Sequence, residues 1–214
     1  LTFSPSRAPH RTYPLPSDPP LGRPLLRRRH KLPFQPESNV STRNVPGMEA
    51  LVRWQHPEKG LIHPGAFIAI AEETGMIVPL GDWVLAEACR QAQALRVAGH
   101  DNLCVAVNLS VRQLYDQGFA LRVSEALRRS GFPAKNLELE ITESMVMRDA
   151  EGSISLLQAL RDTGVRITID VSGTGYSSLA YLKRFPIACL KIDRPFIQAP
   201  PAHPAHAPHT PHLN

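Results

Sequence analysis

Between residues 31 and 198 the hydrophobic positions recur either at every second residue or at every third or fourth, and these two spacings alternate along the chain. Residues 32–36 predict a short strand. Residues 47–54 predict a second, with Met48, Ala50 and Val52 alternating against Glu49, Leu51 and Arg53. A short helix is expected over 66–73. Asp82 is placed to cap a longer one to about Ala98, with Val84, Leu85, Ala88, Ala92 and Leu95 on one face and Gly99 ending it. Residues 103–109 form a near-continuous apolar run, the pattern of a strand buried on both faces. A helix over 118–130 is stopped by Gly131 and Pro133. Residues 137–142 alternate strictly and predict a strand. Residues 150–163 are helical, with Ile154, Leu157 and Leu160 as the stripe. A strand over 165–170, a glycine loop over 172–175, a helix over 177–184 and a strand over 187–192 complete the series. Six strands alternating with helices imply a parallel sheet, and a doubly wound sheet and a (β/α)₈ barrel both fit.

The flanks read differently. Residues 1–36 hold nine of the 21 prolines, seven Lys or Arg and one acid. Residues 1–30 therefore read as a disordered head closed by Arg27-Arg28-Arg29, a solvated charge run. Residues 199–214 hold five prolines and four histidines and read as a disordered low-complexity tail. Its histidines recur every third residue and would line one side of a polyproline II helix.

The formal charge of +5 thus belongs to the head. Residues 37–198 carry seventeen basic and eighteen acidic residues, so no basic stripe suggests a nucleic-acid polymer as partner. No apolar run approaches the roughly 20 residues of a membrane helix. The first 30 residues lack the apolar core of a secretory signal. Cys89, Cys104 and Cys189 fit neither a zinc spacing nor a disulfide framework, so a reducing, cytoplasmic setting is expected. The chain opens on Leu1, and the expectation is a fragment.

In parallel α/β proteins chemistry gathers where strands end. The polar residues there are Glu49, Asn108, Glu140 with Glu143 just beyond, Asp170, and Lys191 with Asp193. Oxygen donors from four separate strands suit Mg²⁺ or Mn²⁺.

These positions also carry a resemblance. MEALVRWQHP at 48–57 is similar to the signature of the EAL domain family, the bacterial cyclic di-GMP phosphodiesterases. Phe34-Gln35-Pro36, AEETGMI at 71–77, VNLS at 107–110, ELEITES at 138–144, GTGYSSL at 173–179 and LKID at 190–193 follow in the family's order. The resemblance spans about 31–197 and implies a TIM-type barrel with two divalent ions, Mg²⁺ or Mn²⁺, at its mouth. Two such ions, roughly 3.5–4 Å apart, clamp the attacking and leaving oxygens of a phosphodiester. Carried over by motif, Glu49, Asn108, Glu140 and Asp170 resemble metal ligands, and Glu49 and Lys191 resemble catalytic groups. Gln35, Leu51 and Arg53 resemble ligand-binding positions. Glu143 resembles the residue that organises the glycine loop, and related domains dimerise near 172–178, which implies a homodimer contact there.

Two departures shape the functional expectation. The family's second loop aspartate, a ligand of the second metal, is Val171 here, and the neighbouring phenylalanine is Ser172. The family pattern also continues past Asp193 with two more strand–helix units that this sequence lacks. Residues 31–198 fall below the roughly 200 residues of a complete barrel. The expectation is therefore an incomplete TIM-type (β/α)₈ barrel with about six of eight strands, degenerate, C-terminally truncated and inactive as a phosphodiesterase. The alternatives are a non-catalytic module binding cyclic di-GMP or a protein, and a fragment without function.

Overall fold

The computed structural model describes residues 29–37, 47–171 and 184–192. Five strands come first: β1 (His30–Lys31), β2 (Phe34–Glu37), β3 (Gly47–Ala50), β4 (Arg53–His56) and β5 (Gly60–Ile62). Helices α1 (Ile68–Glu73) and α2 (Ile77–Val97) lead to β6 (Cys104–Asn108). Then come α3 (Val111–Leu114), α4 (Phe119–Ser130), β7 (Leu137–Thr142), α5 (Glu143–Met147), α6 (Ala150–Asp162), β8 (Arg166–Val171) and β9 (Cys189–Ile192). The glycine loop at 172–175, the segment 177–183, residues 1–28 and the tail at 199–214 lie outside the described residues.

Six strands form one sheet in the order β2-β3-β6-β7-β8-β9, the number read from the periodicity. From β3 to β9 every pairing is parallel. The β2–β3 pair is antiparallel, against the expectation of an all-parallel sheet. The connection over 38–46 explains it: a parallel crossover needs about a dozen residues or more.

The strand expected over 47–54 is two strands. β3 ends at Ala50, and β4 joins a separate three-stranded sheet ordered β1-β4-β5. The break falls at Leu51, whose N–H donates to the Pro33 carbonyl at 3.0 Å. His30, which the sequence places in the head, pairs with Trp54 in this small sheet and is buried.

The central strands place their large apolar side chains on one face. Val105, Val107, Leu139, Ile141, Ile167 and Ile169 are at most 2% exposed and pack in one core with Leu85, Ala88 and Ala92 of α2, Val123 of α4 and Leu157 of α6. The alternate positions, Asn108, Glu138, Glu140, Thr168 and Asp170, are polar. β6 is buried on both faces through 105–107, as its sequence suggested: Val105 and Val107 face the helices, Ala106 is buried on the other side, and Asn108 alone opens to solvent at its end.

α2 begins at Ile77, five residues before the expected cap at Asp82. Pro79 is tolerated there because the N–H groups of a first helical turn have no intrahelical acceptor. Asp82 instead accepts from Arg122 Nε at 2.9 Å and ties α2 to α4. Gly131 ends α4 as expected, with φ near +70° and its N–H on the Leu127 carbonyl.

Ser110 caps α3, its Oγ accepting from the Gln113 N–H at 3.3 Å while Gln113 Oε1 accepts from the Ser110 N–H at 3.2 Å. This is a capping box. Gly81 of α2 lets Gln113 approach, since a Cβ at that position would overlap the Gln113 amide.

Candidate functional site

Strand register brings the polar strand-end residues together. Gln35 lies beside Glu49 across β2–β3. Asn108 lies beside Glu140 across β6–β7. Asp170 lies beside Thr142 on one side and Lys191 on the other. Glu49, Asn108, Glu140 and Asp170 are alternate residues of strands whose other face packs against the helices. The same alternation that builds the core thus delivers a row of oxygen donors to the inner face.

Side chains then link across the strands. Asn108 Nδ2 donates to Glu49 Oε1 at 2.6 Å. Lys191 Nζ donates to carboxylate oxygens of both Glu140 and Glu37. Glu37 ends β2 and Lys191 lies in β9, the two outermost strands, so the sheet is curled enough for their side chains to meet. Deeper on the same face, Thr168 Oγ1 donates to Glu138 Oε1 at 2.8 Å, and Arg166 Nε lies 3.8 Å from Glu138 Oε2.

The electrostatics are those of a charged, partly dehydrated cluster. Glu140 is 5% exposed. Burial pushes its carboxyl up to about 7; Lys191 opposes this, while Glu49 and Glu37 add to it. Burial disfavours the Lys191 ammonium, but Glu140 and Glu37 outweigh that and hold its pKa above the ordinary lysine value. Among the described residues no three His, Cys, Asp or Glu side chains already converge on one point. Glu49 is engaged by Asn108 and Glu140 by Lys191. The donor chemistry nonetheless fits a hard divalent cation: three carboxylates and one amide from four strands.

The remaining sequence candidates divide. Gln35 and Leu51 are half-buried beside Glu49 and at the end of β3. Arg53 is in the small sheet, its Nη1 donating to the Leu51 and Val52 carbonyls at 3.2 and 3.0 Å. It lines a cavity of about 550 Å³ together with His30, Lys31, Gln55, Trp83 and Glu87. Val171 packs partly buried against the hydrophobic core. Glu143 begins α5 and is 5% exposed, and its Oε1 has no hydrogen-bond partner among the described residues. The 172–178 loop it was expected to hold lies outside the described residues, as does the expected dimer contact.

Glu37 was not among the sequence candidates. The strand read from the sequence ends at residue 36, whereas β2 runs to Glu37 and so places it on the face of Gln35. No helix among the described residues is long and apolar enough to cross a membrane.

The EAL domain family model matches residues 21–207. The bifunctional diguanylate cyclase/cyclic di-GMP phosphodiesterase MucR of Pseudomonas aeruginosa is 49% identical over 173 residues, covering 81% of this chain and 25% of MucR. The cyclic di-GMP phosphodiesterase PdeR of Escherichia coli is 45% identical over 154 residues, 72% of this chain and 23% of PdeR. The chain thus spans about a quarter of the length of these curated relatives. Among solved structures, the MucR phosphodiesterase in complex with c-di-GMP superposes with a TM-score of 0.79 at 48% identity, covering 83% of this chain and 72% of that one. The EAL domain of Mycobacterium smegmatis DcpA superposes at 0.64 with 35% identity, covering 82% of this chain and 70% of that one. The curled six-stranded sheet, with its helices outside and its polar strand ends inside, is accordingly part of a TIM-type barrel, and the chain belongs to the EAL domain family.

Proposed function

We propose that this chain is a cyclic di-GMP-binding module of the phosphodiesterase type that turns its ligand over poorly. The observation carrying this reading is the placement of Glu49, Asn108, Glu140 and Asp170 on four neighbouring strands at one end of a curled sheet, each within two register steps of the next. These four side chains would hold one Mg²⁺ or Mn²⁺. Such an ion, when bound, supplies Lewis acidity toward a phosphodiester and a more acidic water.

The chain's own residues do the rest. Gln35 and Leu51 flank Glu49 and would meet the ligand. Arg53 would exchange its backbone carbonyls for a phosphate, which its planar fork suits better. Lys191 brings a fixed positive charge to the inner face, and Glu49 is the carboxylate on which both metal and catalysis depend. Glu143, buried with an oxygen that has no hydrogen-bond partner among the described residues, would organise the 172–178 loop. Valine at 171 has no lone pair, so the ligand expected for a second ion is missing. A missing metal ligand of this kind costs on the order of 10³-fold or more in rate.

The test measures cyclic di-GMP binding by calorimetry and linear-dinucleotide release with Mg²⁺ or Mn²⁺. We expect binding, weakened about tenfold or more by Arg53→Ala, the scale of a charged hydrogen bond, and no measurable release. Rapid metal-dependent release, abolished by Glu49→Ala, would overturn poor turnover. Absence of binding would overturn the ligand assignment.

A further inference from the structure

We infer that Glu37 is a positioning residue that gives Lys191 a second carboxylate, so that Glu140 can be released to a divalent cation. The identity of the cation's ligands rests on the function proposed above; the role of Glu37 rests on the geometry at the inner face.

Lys191 Nζ donates to Glu37 and Glu140 together. The three side chains are only 14%, 16% and 6% exposed in the order Lys191, Glu37, Glu140, so little water is present to replace a lost partner. An ammonium has three donors and no acceptor. With Glu140 as its sole carboxylate it would compete directly with a cation for that oxygen. With Glu37 also present it has somewhere to remain when Glu140 is taken.

The location of Glu37 fits this role. It pairs with Gly47, two pairs beyond Gln35–Glu49 in the same ladder and away from the strand-end opening. Drawing the ammonium toward Glu37 therefore draws it inward, away from the Glu49–Asn108 pair. Gly47 leaves the space: a Cβ there would lie 3.3 Å from Glu37 Oε2. A side chain at 47 would push against the carboxylate without altering any charge.

The experiment is Mn²⁺ titration by calorimetry, without nucleotide, on the full chain and on Glu37→Gln, Lys191→Met, the double variant and Gly47→Ala. We expect Glu37→Gln to weaken Mn²⁺ binding by about tenfold, and the same change in the Lys191→Met background to alter it by less than about twofold. Gly47→Ala should weaken binding in the same direction by a smaller factor, again only while Lys191 is present. This keeps the inference testable if Glu37→Gln fails to fold. An equal loss from Glu37→Gln with and without Lys191 would show that Glu37 acts on the ion directly and would overturn the inference. So would the absence of Mn²⁺ binding by the unaltered chain. Cyclic di-GMP is not in this assay, so Lys191-dependent coupling without nucleotide binding would sink the proposed function and leave the role of Glu37 standing.

Discussion

Lys191 in β9 donates to the carboxylate of Glu37 in β2, a residue 154 positions earlier and at the opposite edge of the same six-stranded sheet. A flat sheet would hold these strands far apart, since neighbouring strands are spaced about 4.8 Å. Their contact shows that the sheet curls until its outermost strands face each other, and the polar inner face becomes a cup. Glu49, Asn108 and Glu140 lie in that cup because their strands spend the other face on the helices.

Replacing Asn108 with alanine separates site from scaffold. The side chain is exposed and its hydrogen bond to Glu49 is made in contact with solvent. Asn108→Ala should change unfolding free energy by less than about 1 kcal/mol. It should weaken Mn²⁺ binding by about tenfold if its amide oxygen is a ligand. Urea denaturation and metal calorimetry on the same sample check the two halves.

Gly81→Ala should destabilise although alanine is the better helix former by about 1 kcal/mol. The new methyl would overlap the Gln113 amide, which is 2% exposed and closes the capping box with Ser110. We expect a net loss of about 1–3 kcal/mol, the scale of an overpacked core. An unchanged or raised urea midpoint would show that Gln113 moves away freely.

His30 predicts a pH dependence of stability. Its ring is buried near Phe67 and Trp83, with centroids 6.3 and 5.7 Å away, and neither ring nitrogen has a hydrogen-bond partner among the described residues. Burial lowers its pKa below 6.5. Above about pH 6.5 the imidazole is neutral in both folded and unfolded chains. As pH falls, the unfolded chain takes up a proton that the folded one resists, so stability declines from about pH 6.5 down to the folded-state pKa and then levels off. His30→Phe should flatten that part of the profile. Denaturation midpoints measured from pH 8 to 5, about the range over which histidine titrates, would show an unchanged slope if the reading is wrong.

Leu139→Ala should cost about 2–5 kcal/mol, because the side chain is fully enclosed between β7 and the helices. A loss below about 1 kcal/mol, read from the same denaturation curves, would mean that the helix layer closes over the cavity.

The sequence by itself determined the strands of the six-stranded sheet, the longer helices and which polar residues stand near the strand ends. Alternation over 137–142 and 165–170 is a local property, readable residue by residue, and it fixed which positions face the helices. Ordered motifs named the family for the same reason: they are strings in the chain. Tertiary structure alone decided the rest. Whether 47–54 was one strand or two depended on its partners: β3 pairs with β2 and β6, whereas β4 pairs with β1 and β5. Asp82 looked like a cap because caps are local; its actual partner, Arg122, sits forty residues on. Glu37 escaped notice because the strand read from the sequence stops one residue short of it, and because its meeting with Lys191 requires the whole sheet to curl. Curl is set by the cumulative twist of every strand between them, and no single segment encodes it.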